Sequence, residues 1–433
     1  MLVHLKTLGC RLNEAELETW AQAFQTAGHQ ITPTATNAQL VIVNSCAVTG
    51  DAARKSRQLI RRVHRDNPQA KLVVSGCYAT LNPDEAADIL GVDLVVANQD
   101  KQQLVNKALT ELNLDSMPSM STEPGAVALF SRGRQRAFVK VQDGCRYRCT
   151  FCIVTIARGE EQSRPIQEVI DEINALHAQG IQEVVLTGVH LGGYGADLAC
   201  NLSDLISAVL NNTDIPRLRL GSLEPWELSP AFFELFANPR LMPHLHLPLQ
   251  SGSDSVLRRM ARRCKTEEFS AIVRQLREQI PHFNVTTDII VGFPGETEQE
   301  WRESFEFIKQ TGFGQLHIFS YSKRAGTKAA ELPEQVAESV KKQRSQQLHQ
   351  LAGTLKQDFF KQQLGKKVTV LWEGSSDTNT QHPTLRFGYT PNYCRVTSSS
   401  ITDATNSNQI TNSHIISSTE DYLLSELIAN EDA

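Results

Sequence analysis

A chain of 433 residues that is 40% hydrophobic and 21% charged has the usage of a globular protein with room for two or three separately cored domains. No apolar run reaches the roughly 18 residues that would span a bilayer, and Met1-Leu2-Val3-His4-Leu5-Lys6 enters a strand pattern with no signal-peptide arrangement; a cytoplasmic protein is expected, with no membrane partner. The formal net charge of −5 argues against bulk affinity for nucleic acid. Locally the balance reverses: Ser131 to Arg164 holds eight basic residues (Arg132, Arg134, Arg136, Lys140, Arg146, Arg148, Arg158, Arg164) against three acids (Asp143, Glu160, Glu161). Such a stretch suits a polyanionic substrate directed to one place.

Residues 1–114 alternate short apolar runs (Leu2 to Leu8, Gln39 to Asn44, Lys71 to Ser75, Leu94 to Ala97) with helix-like stretches (Glu14 to Ala27, Asp51 to Arg65, Asp84 to Leu90, Lys101 to Leu112). That alternation predicts a βαβ domain on a parallel sheet. Gly9-Cys10, Ser45-Cys46 and Gly76-Cys77 each follow a predicted strand at its carboxyl end, the edge where open α/β sheets bind ligands. Three strand ends can gather three thiolates that are 36 and 31 residues apart in sequence. With nine cysteines in a reducing compartment, metal binding is the favoured reading, and small buried thiols are the alternative.

Residues 115–130, with Met-Pro-Ser-Met-Ser and Glu-Pro-Gly, break both periodicities and are expected to be a linker. From 131 to 362 about six strand-then-helix units follow, beginning with Phe138–Gln142 and ending in a long helix from about Pro333 to Gln363. The series predicts a full or partial β/α barrel, with chemistry at the carboxyl ends of its strands. After the first strand comes Gly144-Cys145-Arg146-Tyr147-Arg148-Cys149-Thr150-Phe151-Cys152, three cysteines at C-x3-C-x2-C spacing. A zinc site or a saturated ferredoxin cluster normally takes four thiolates, and no further cysteine follows until Cys200. Three thiolates on a four-iron cluster leave one iron open to a substrate; a zinc half-site or unrelated core thiols are the alternatives. The spacing resembles that of the radical S-adenosylmethionine (SAM) enzymes, in which SAM occupies the open iron and is cleaved to a 5′-deoxyadenosyl radical. Later strand ends then offer Gly188, Glu224, Gln250, Ser251, Asp288 and Gly292 as a candidate SAM pocket, the glycines allowing close backbone approach.

Residues 363–433 change character and predict a small β domain. Trp372, Phe387, Tyr389 and Tyr393, with Lys366, Lys367, Arg386 and Arg395, are a candidate RNA-stacking surface. Cys200, Cys264 and Cys394 lack partners in sequence and are expected to be structural.

Nearly the whole chain resembles the tRNA methylthiotransferases. The resemblance is carried by Thr7-Leu8-Gly9-Cys10-Arg11-Leu12-Asn13, Asn44-Ser45-Cys46-Ala47-Val48-Thr49, Ser75-Gly76-Cys77, Gln142-Asp143-Gly144-Cys145 through Arg158-Gly159, and His246-Leu247-Pro248-Leu249-Gln250-Ser251-Gly252-Ser253. Within that group the motifs look most like the MtaB type, which acts on N6-threonylcarbamoyladenosine at tRNA position 37. The resemblance implies an α/β architecture: an N-terminal parallel-sheet domain, a partial (β/α)6 radical SAM barrel and a C-terminal TRAM-like domain that helps hold tRNA. It implies two [4Fe-4S] clusters and SAM, with Cys145, Cys149 and Cys152 carrying the cluster that cleaves SAM. Cys10, Cys46 and Cys77 would carry an auxiliary cluster that presents sulfur for transfer to C2 of the adenine. The implied partners are the tRNA anticodon loop and an electron donor such as a flavodoxin or ferredoxin, with the sulfur donor left open. The rivals are methylthiotransferases for isopentenyladenosine or for a ribosomal protein, and a non-catalytic iron–sulfur RNA-binding or electron-transfer protein. Two departures from the family pattern stand out: Thr155 where relatives usually carry proline, and acidic Glu160-Glu161-Gln162 where they carry a basic run.

Overall fold

Leu40–Ser45 and Lys71–Gly76 are β-branched and leucine-rich runs, buried along nearly their whole length, as strands covered on both faces must be. They are central in a parallel five-stranded sheet of order Gln30–Ile31, Leu2–Thr7, Leu40–Ser45, Lys71–Gly76, Leu94–Val96. The period of two sorts their side chains. Leu40, Ile42 and Val73 pack with Leu17, Trp20 and Phe24 of the helix Arg11–Thr26, whereas Val41, Val43 and Val74 pack with Ile60 and Val63 of the helix Gly50–Asp66. Thr49 caps the second helix, its hydroxyl accepting from the Ala52 amide at 3.1 Å.

The computed structural model describes residues 1–112, 114, 136–373, 386–398 and 409–428; the linker expected at 115–130, and Arg132 and Arg134, lie outside them. The chain divides into two compact units, and the division is not a simple cut. The first comprises Met1–Ser131, Asp143–Gln162 and Ser322–Ala330, so it includes the C-x3-C-x2-C loop; the second comprises Arg132–Gln142, Ser163–Tyr321 and Glu331–Ala433.

In the second unit six parallel strands follow one another in chain order: Arg136–Lys140, Glu183–Thr187, Arg217–Leu220, His244–His246, Asn284–Val291 and Gln315–Ser320. The third and fourth are joined only by the single bridges Leu218 to Leu241 and Ser222 to His246. This is the expected partial barrel. Beyond the long helix Glu338–Lys361, the strands Lys367–Trp372, Phe387–Tyr389, Arg395–Thr397, Leu423–Leu427 and Ile410–Ser418 close a small barrel, as the fold reading predicted. Phe359 and Phe360 of that helix enter the small barrel's core beside Val370, Trp372, Val396 and Ile415.

The starts of the first three barrel strands carry a buried charge cluster. Arg136 and Arg217 both stand in register with Glu183, which has no solvent exposure. Arg219 Nε lies 2.9 Å from Glu183 Oε1, and Arg136 Nη2 lies 2.6 Å from Glu373 Oε1. Arg217 donates to the Tyr389 carbonyl at 2.9 Å, Arg219 to the Pro391 carbonyl at 3.1 Å, and Asn284 to the Asn392 carbonyl at 2.8 Å. Burial pushes Arg217 down to about 10. Burial also raises Glu183, but Arg219 and Arg136 outweigh it and keep the carboxylate ionised. The strand-start face of the partial barrel is therefore riveted to the small barrel.

Two sequence expectations are corrected here. Arg136 is not at a cluster mouth; it is 7% exposed and lies over the ring of Tyr389 at 4.3 Å. The candidate RNA-stacking surface loses Trp372 as well. Trp372 is fully buried and donates to Thr411 Oγ1, Tyr393 stacks on Tyr389 and faces Arg219, and Phe387 is covered by Arg395 at 3.6 Å. Aromatic and basic residues near one another mean RNA only where they are exposed together.

Candidate functional site

Within the first unit, the sheet brings Cys10, Cys46 and Cys77 to three neighbouring strand ends. Leu2–Thr7 ends just before Cys10, Leu40–Ser45 just before Cys46, and Lys71–Gly76 just before Cys77. Cys46 lies in the electrostatic field of both other thiols. Gly9, at φ +125, makes the approach possible, because a Cβ there would sit 2.9 Å from Cys46 Cβ. Cys46 is pinned by Ser56, whose hydroxyl receives the Cys46 amide at 2.9 Å and donates to its carbonyl at 2.8 Å.

The loop bearing Cys145, Cys149 and Cys152 is folded back on itself. Gly144 has φ +73, and a Cβ there would lie 1.8 Å from the Glu160 carbonyl oxygen, so only glycine fits. The Cys145 amide donates to the Gly159 carbonyl at 3.2 Å and the Cys152 amide to the Cys149 carbonyl at 3.0 Å. Cys145 lies in the field of Cys152 and Cys149. Thr155 has a local role: its hydroxyl donates to the buried Tyr147 carbonyl at 3.0 Å, a bond proline could not make. Glu161 accepts from the Arg146 amide at 3.0 Å and lies 3.5 Å from its guanidinium, so this acid braces the loop.

One buried arginine ties the two triplets together. Arg158 has a side chain 2% exposed, and its Nη1 lies 2.9 Å from Glu16 Oε1 and 3.0 Å from Asp143 Oδ1. Its Nη2 donates to Asn13 Oδ1 at 2.9 Å. Asp143 immediately precedes Gly144, while Asn13 stands three residues after Cys10 and donates to the carbonyls of Leu8 and Ser45. Glu16 also accepts from Asn44 at 2.8 Å and pairs with buried Lys101. Asn98 completes the bridge, donating to the Ala157 carbonyl at 2.7 Å and to Cys77 Sγ at 3.8 Å. Burial alone would lower Arg158, but Glu16 and Asp143 more than offset it and hold the guanidinium charged.

Three cysteines in each other's field fit a cluster whose cationic core compensates their thiolates. Burial pushes the Cys46 thiol up to about 11 and the Cys145 thiol up to about 12, so bare thiolates are costly here. Coordination removes that cost, because a metal-bound thiol is deprotonated outright. Arg158 lies in the field of Cys77 and Cys10, and Lys101 in that of Cys77, which offsets the negative charge three thiolates would bring.

In the second unit the predicted pocket residues stand at or near the carboxyl ends of successive strands. The Gln250 amide donates to the Asp288 carbonyl at 2.8 Å, and the Ile290 amide donates to the Gln250 carbonyl at 2.9 Å. Gln250 holds φ +75, a conformation that a non-glycine residue rarely adopts outside constrained sites. Glu224 is engaged by Arg262, Nη1 to Oε1 at 3.0 Å, under the face of Trp226. Ser251 is fully buried and accepts from the Ser253 amide at 3.3 Å. Where side chains would stand on Gly188 and Gly292 lie Gln142 Oε1 and the stem of Lys341, so close protein packing accounts for both glycines.

Sequence reasoning missed a triad at this end of the barrel. Asp288 Oδ1 receives His246 Nε2 and His317 Nδ1, both at 3.2 Å, and the two imidazoles stack with centroids 5.1 Å apart. Burial would raise Asp288, but the two histidines outweigh it and hold the carboxyl well below its usual range. His246 belongs to the His-Leu-Pro-Leu run that carries the family resemblance, so half the signal was present; His317 carried none. His190 is also buried and lies 2.8 Å from Glu227, with its amide donating to Gln142.

Comparison with known proteins bears on both units. Residues 2–97 match the family described as Uncharacterized protein family UPF0004, and residues 139–308 match the Radical SAM superfamily. The threonylcarbamoyladenosine tRNA methylthiotransferase MtaB of Bacillus subtilis is 38% identical over 405 residues, covering 91% of this chain and 89% of that protein. Its namesake from Thermotoga maritima is 38% identical over 378 residues, covering 86% of each. The tRNA-2-methylthio-N(6)-dimethylallyladenosine synthase of Oceanobacillus iheyensis is 33% identical over 415 residues, covering 89% of this chain and 76% of that protein. Among solved structures, the radical SAM methyltransferase TsrM from Kitasatospora setae aligns with a TM-score of 0.57 at 18% identity, over 76% of this chain and 77% of its own. That is a likeness of fold.

Proposed function

We propose a division of labour between the cysteine triplets of this chain, which belongs to the MtaB family of radical SAM tRNA methylthiotransferases. The enzyme methylthiolates C2 of N6-threonylcarbamoyladenosine at tRNA position 37, giving 2-methylthio-N6-threonylcarbamoyladenosine. It uses SAM and two [4Fe-4S] clusters. Cys145, Cys149 and Cys152 would hold the cluster that takes SAM, and Cys10, Cys46 and Cys77 the auxiliary one. Bound there, the cofactors supply a radical able to break a strong C–H bond and a sulfur ready for transfer.

The chain's own residues position and exclude. Arg158 fixes Asp143, and through it the turn at Gly144 that aims Cys145; the same guanidinium fixes Asn13 behind Cys10. Gln250, Ser251, Glu224 and Asp288, with Gly188 and Gly292, would line the SAM pocket, Glu224 held by Arg262 and Asp288 by the two histidines. We assign the auxiliary cluster to residues 1–114, the SAM chemistry to 131–362 and a TRAM-like role to 363–433. The electron donor is expected to be of the flavodoxin or ferredoxin class. No helix among the described residues is long and apolar enough to cross a membrane, and a cytoplasmic enzyme acting on tRNA is the reading favoured.

The observation that carries the division is that one buried guanidinium contacts the flanks of both triplets. Anaerobically reconstituted protein is expected to hold about eight irons per chain, and about four after Cys145, Cys149 and Cys152 become Ala. Changing Cys10, Cys46 and Cys77 to Ala should leave 5′-deoxyadenosine formation with dithionite but abolish methylthio transfer. Stoichiometric zinc without iron would defeat the reading. Nucleoside mass spectrometry of tRNA from a deletion strain identifies the substrate, and accumulation of unmethylthiolated isopentenyladenosine there would point to the rival instead.

A further inference from the structure

Four of the basic residues expected around the cysteine loop are already paired with acids. Arg146 pairs with Glu161, Arg148 with Glu160, Arg164 with Glu172, and Arg158 is buried on Glu16 and Asp143. A denser run of cations in the first unit lies elsewhere, only part of it paired. The helix Gly50–Asp66 carries Arg54, Lys55, Arg57, Arg61, Arg62 and Arg65 against only Asp51 and Asp66. Arg54, Arg61 and Arg65, at spacings of seven and four, share the face opposite buried Ala53, Ser56, Ile60 and Val63, while half-buried Arg57 flanks it, 3.4 Å from Glu85. Arg54 and Lys55 share one acid, Asp51, whereas Arg61 and Arg65 are exposed with no acidic partner among the described residues.

A second basic strip meets this helix at its start. The Gly50 amide donates to Ser322 Oγ at 3.1 Å, and the Ala329 amide donates to the Thr150 carbonyl at 2.8 Å, so Ser322–Ala330 runs between the helix and the cysteine loop. It carries exposed Lys323 and Lys328, and between them Arg324, whose buried Nε has no hydrogen-bond partner. Arg324 lies in the electrostatic field of both Cys46 and Arg57. The strip thus joins the auxiliary triplet to a helical face about 17 Å long between Arg54 and Arg65.

We propose that Ser322–Ala330 and the outer face of the helix Gly50–Asp66 form a track for the phosphate backbone of the tRNA, running outward from the auxiliary cysteines. The proposal rests on the tRNA reading above and adds to it the surface that grips the substrate. Phosphate is the fitting ligand, because guanidinium and ammonium groups without protein acids are those that can exchange counterions for a polyanion. Base identity is not read here, so the track should bind tRNA with little preference for the nucleoside at position 37.

The test is the salt dependence of binding of an unmodified tRNA transcript to reconstituted holoenzyme. For every phosphate that is no longer neutralised, the slope of log K against log salt should flatten by roughly 0.7 to 0.9. The double variant Arg61→Gln, Arg65→Gln should therefore be flatter by roughly one to two units, with iron content unchanged as the check on folding. The corresponding Arg→Lys double should restore the slope. Lys323→Gln with Lys328→Gln, on a separate segment, should flatten it by roughly one to two units and keeps the question open to refutation if the helix variant folds poorly. Wild-type slopes in both glutamine variants would overturn the track. A wild-type enzyme with no salt-dependent tRNA binding would instead remove the tRNA reading beneath it.

Discussion

Two buried arginine networks, each drawn from distant parts of the chain, do different work. Around Glu183, Arg217 and Arg219 share one carboxylate while Arg136 takes Glu373, and their remaining donors and faces go to peptide carbonyls of the small barrel and to tyrosine rings. Around Arg158, two cations meet two carboxylates, and the remaining field falls on thiols. The first arrangement is a joint between two barrels. The second is a neutral ion-pair network that braces the flanks of both cysteine triplets. What a buried arginine accomplishes is decided by what remains within its reach once its carboxylate is satisfied.

The largest expected effect breaks the joint. Glu183→Gln takes the carboxylate from two buried guanidiniums, Arg217 and Arg219, while Arg136 keeps Glu373, and should cost about 3–5 kcal/mol in urea unfolding, while the folded fraction keeps its iron; iron falling in proportion would erase the contrast. Arg158→Gln removes the guanidinium that ion-pairs with Asp143, although Lys101 still serves Glu16, and should cost about 3 kcal/mol. Here the folded fraction should be iron-poor, and wild-type iron content would show that Arg158 is a second joint. Gly144→Ala forces a side chain onto the Glu160 carbonyl and should cost about 1–3 kcal/mol, with iron falling toward about four per chain because only the loop triplet is disturbed. Thr155→Val removes one buried hydrogen bond and should cost about 1 kcal/mol by thermal denaturation, with methylthiolation retained.

The sequence exposed the parts of this protein that depend on period and spacing. Strand-then-helix alternation placed both sheets, and the recurrence of cysteine after three strands pointed to a triplet that no local motif would reveal. It did not show where charge ends up. Arg136 stands 237 residues from Glu373, and Arg158 stands 142 from Glu16, so a tally of basic residues between Ser131 and Arg164 could not know that these were already neutralised. The Arg-Leu-Arg-Leu of Arg217–Leu220 shows that two arginines share a face, but not that Tyr389 and Pro391 wait on it. The same blindness put the fully buried Trp372 on a candidate RNA platform. The track on Gly50–Asp66 was legible as an arginine-rich amphipathic helix, yet it drew no notice beside the denser run near the cysteines.

The first unit is written in three separated passages, the last of them Ser322–Ala330. A ribosome making about 5–20 residues per second needs roughly ten to thirty seconds to pass from Gln162 to Ser322. Through that interval all six cysteines exist, but the segment that hydrogen-bonds Gly50 and Thr150 does not. The nascent chain therefore carries all its triplet thiols before the strap that hydrogen-bonds Gly50 and Thr150 has been made.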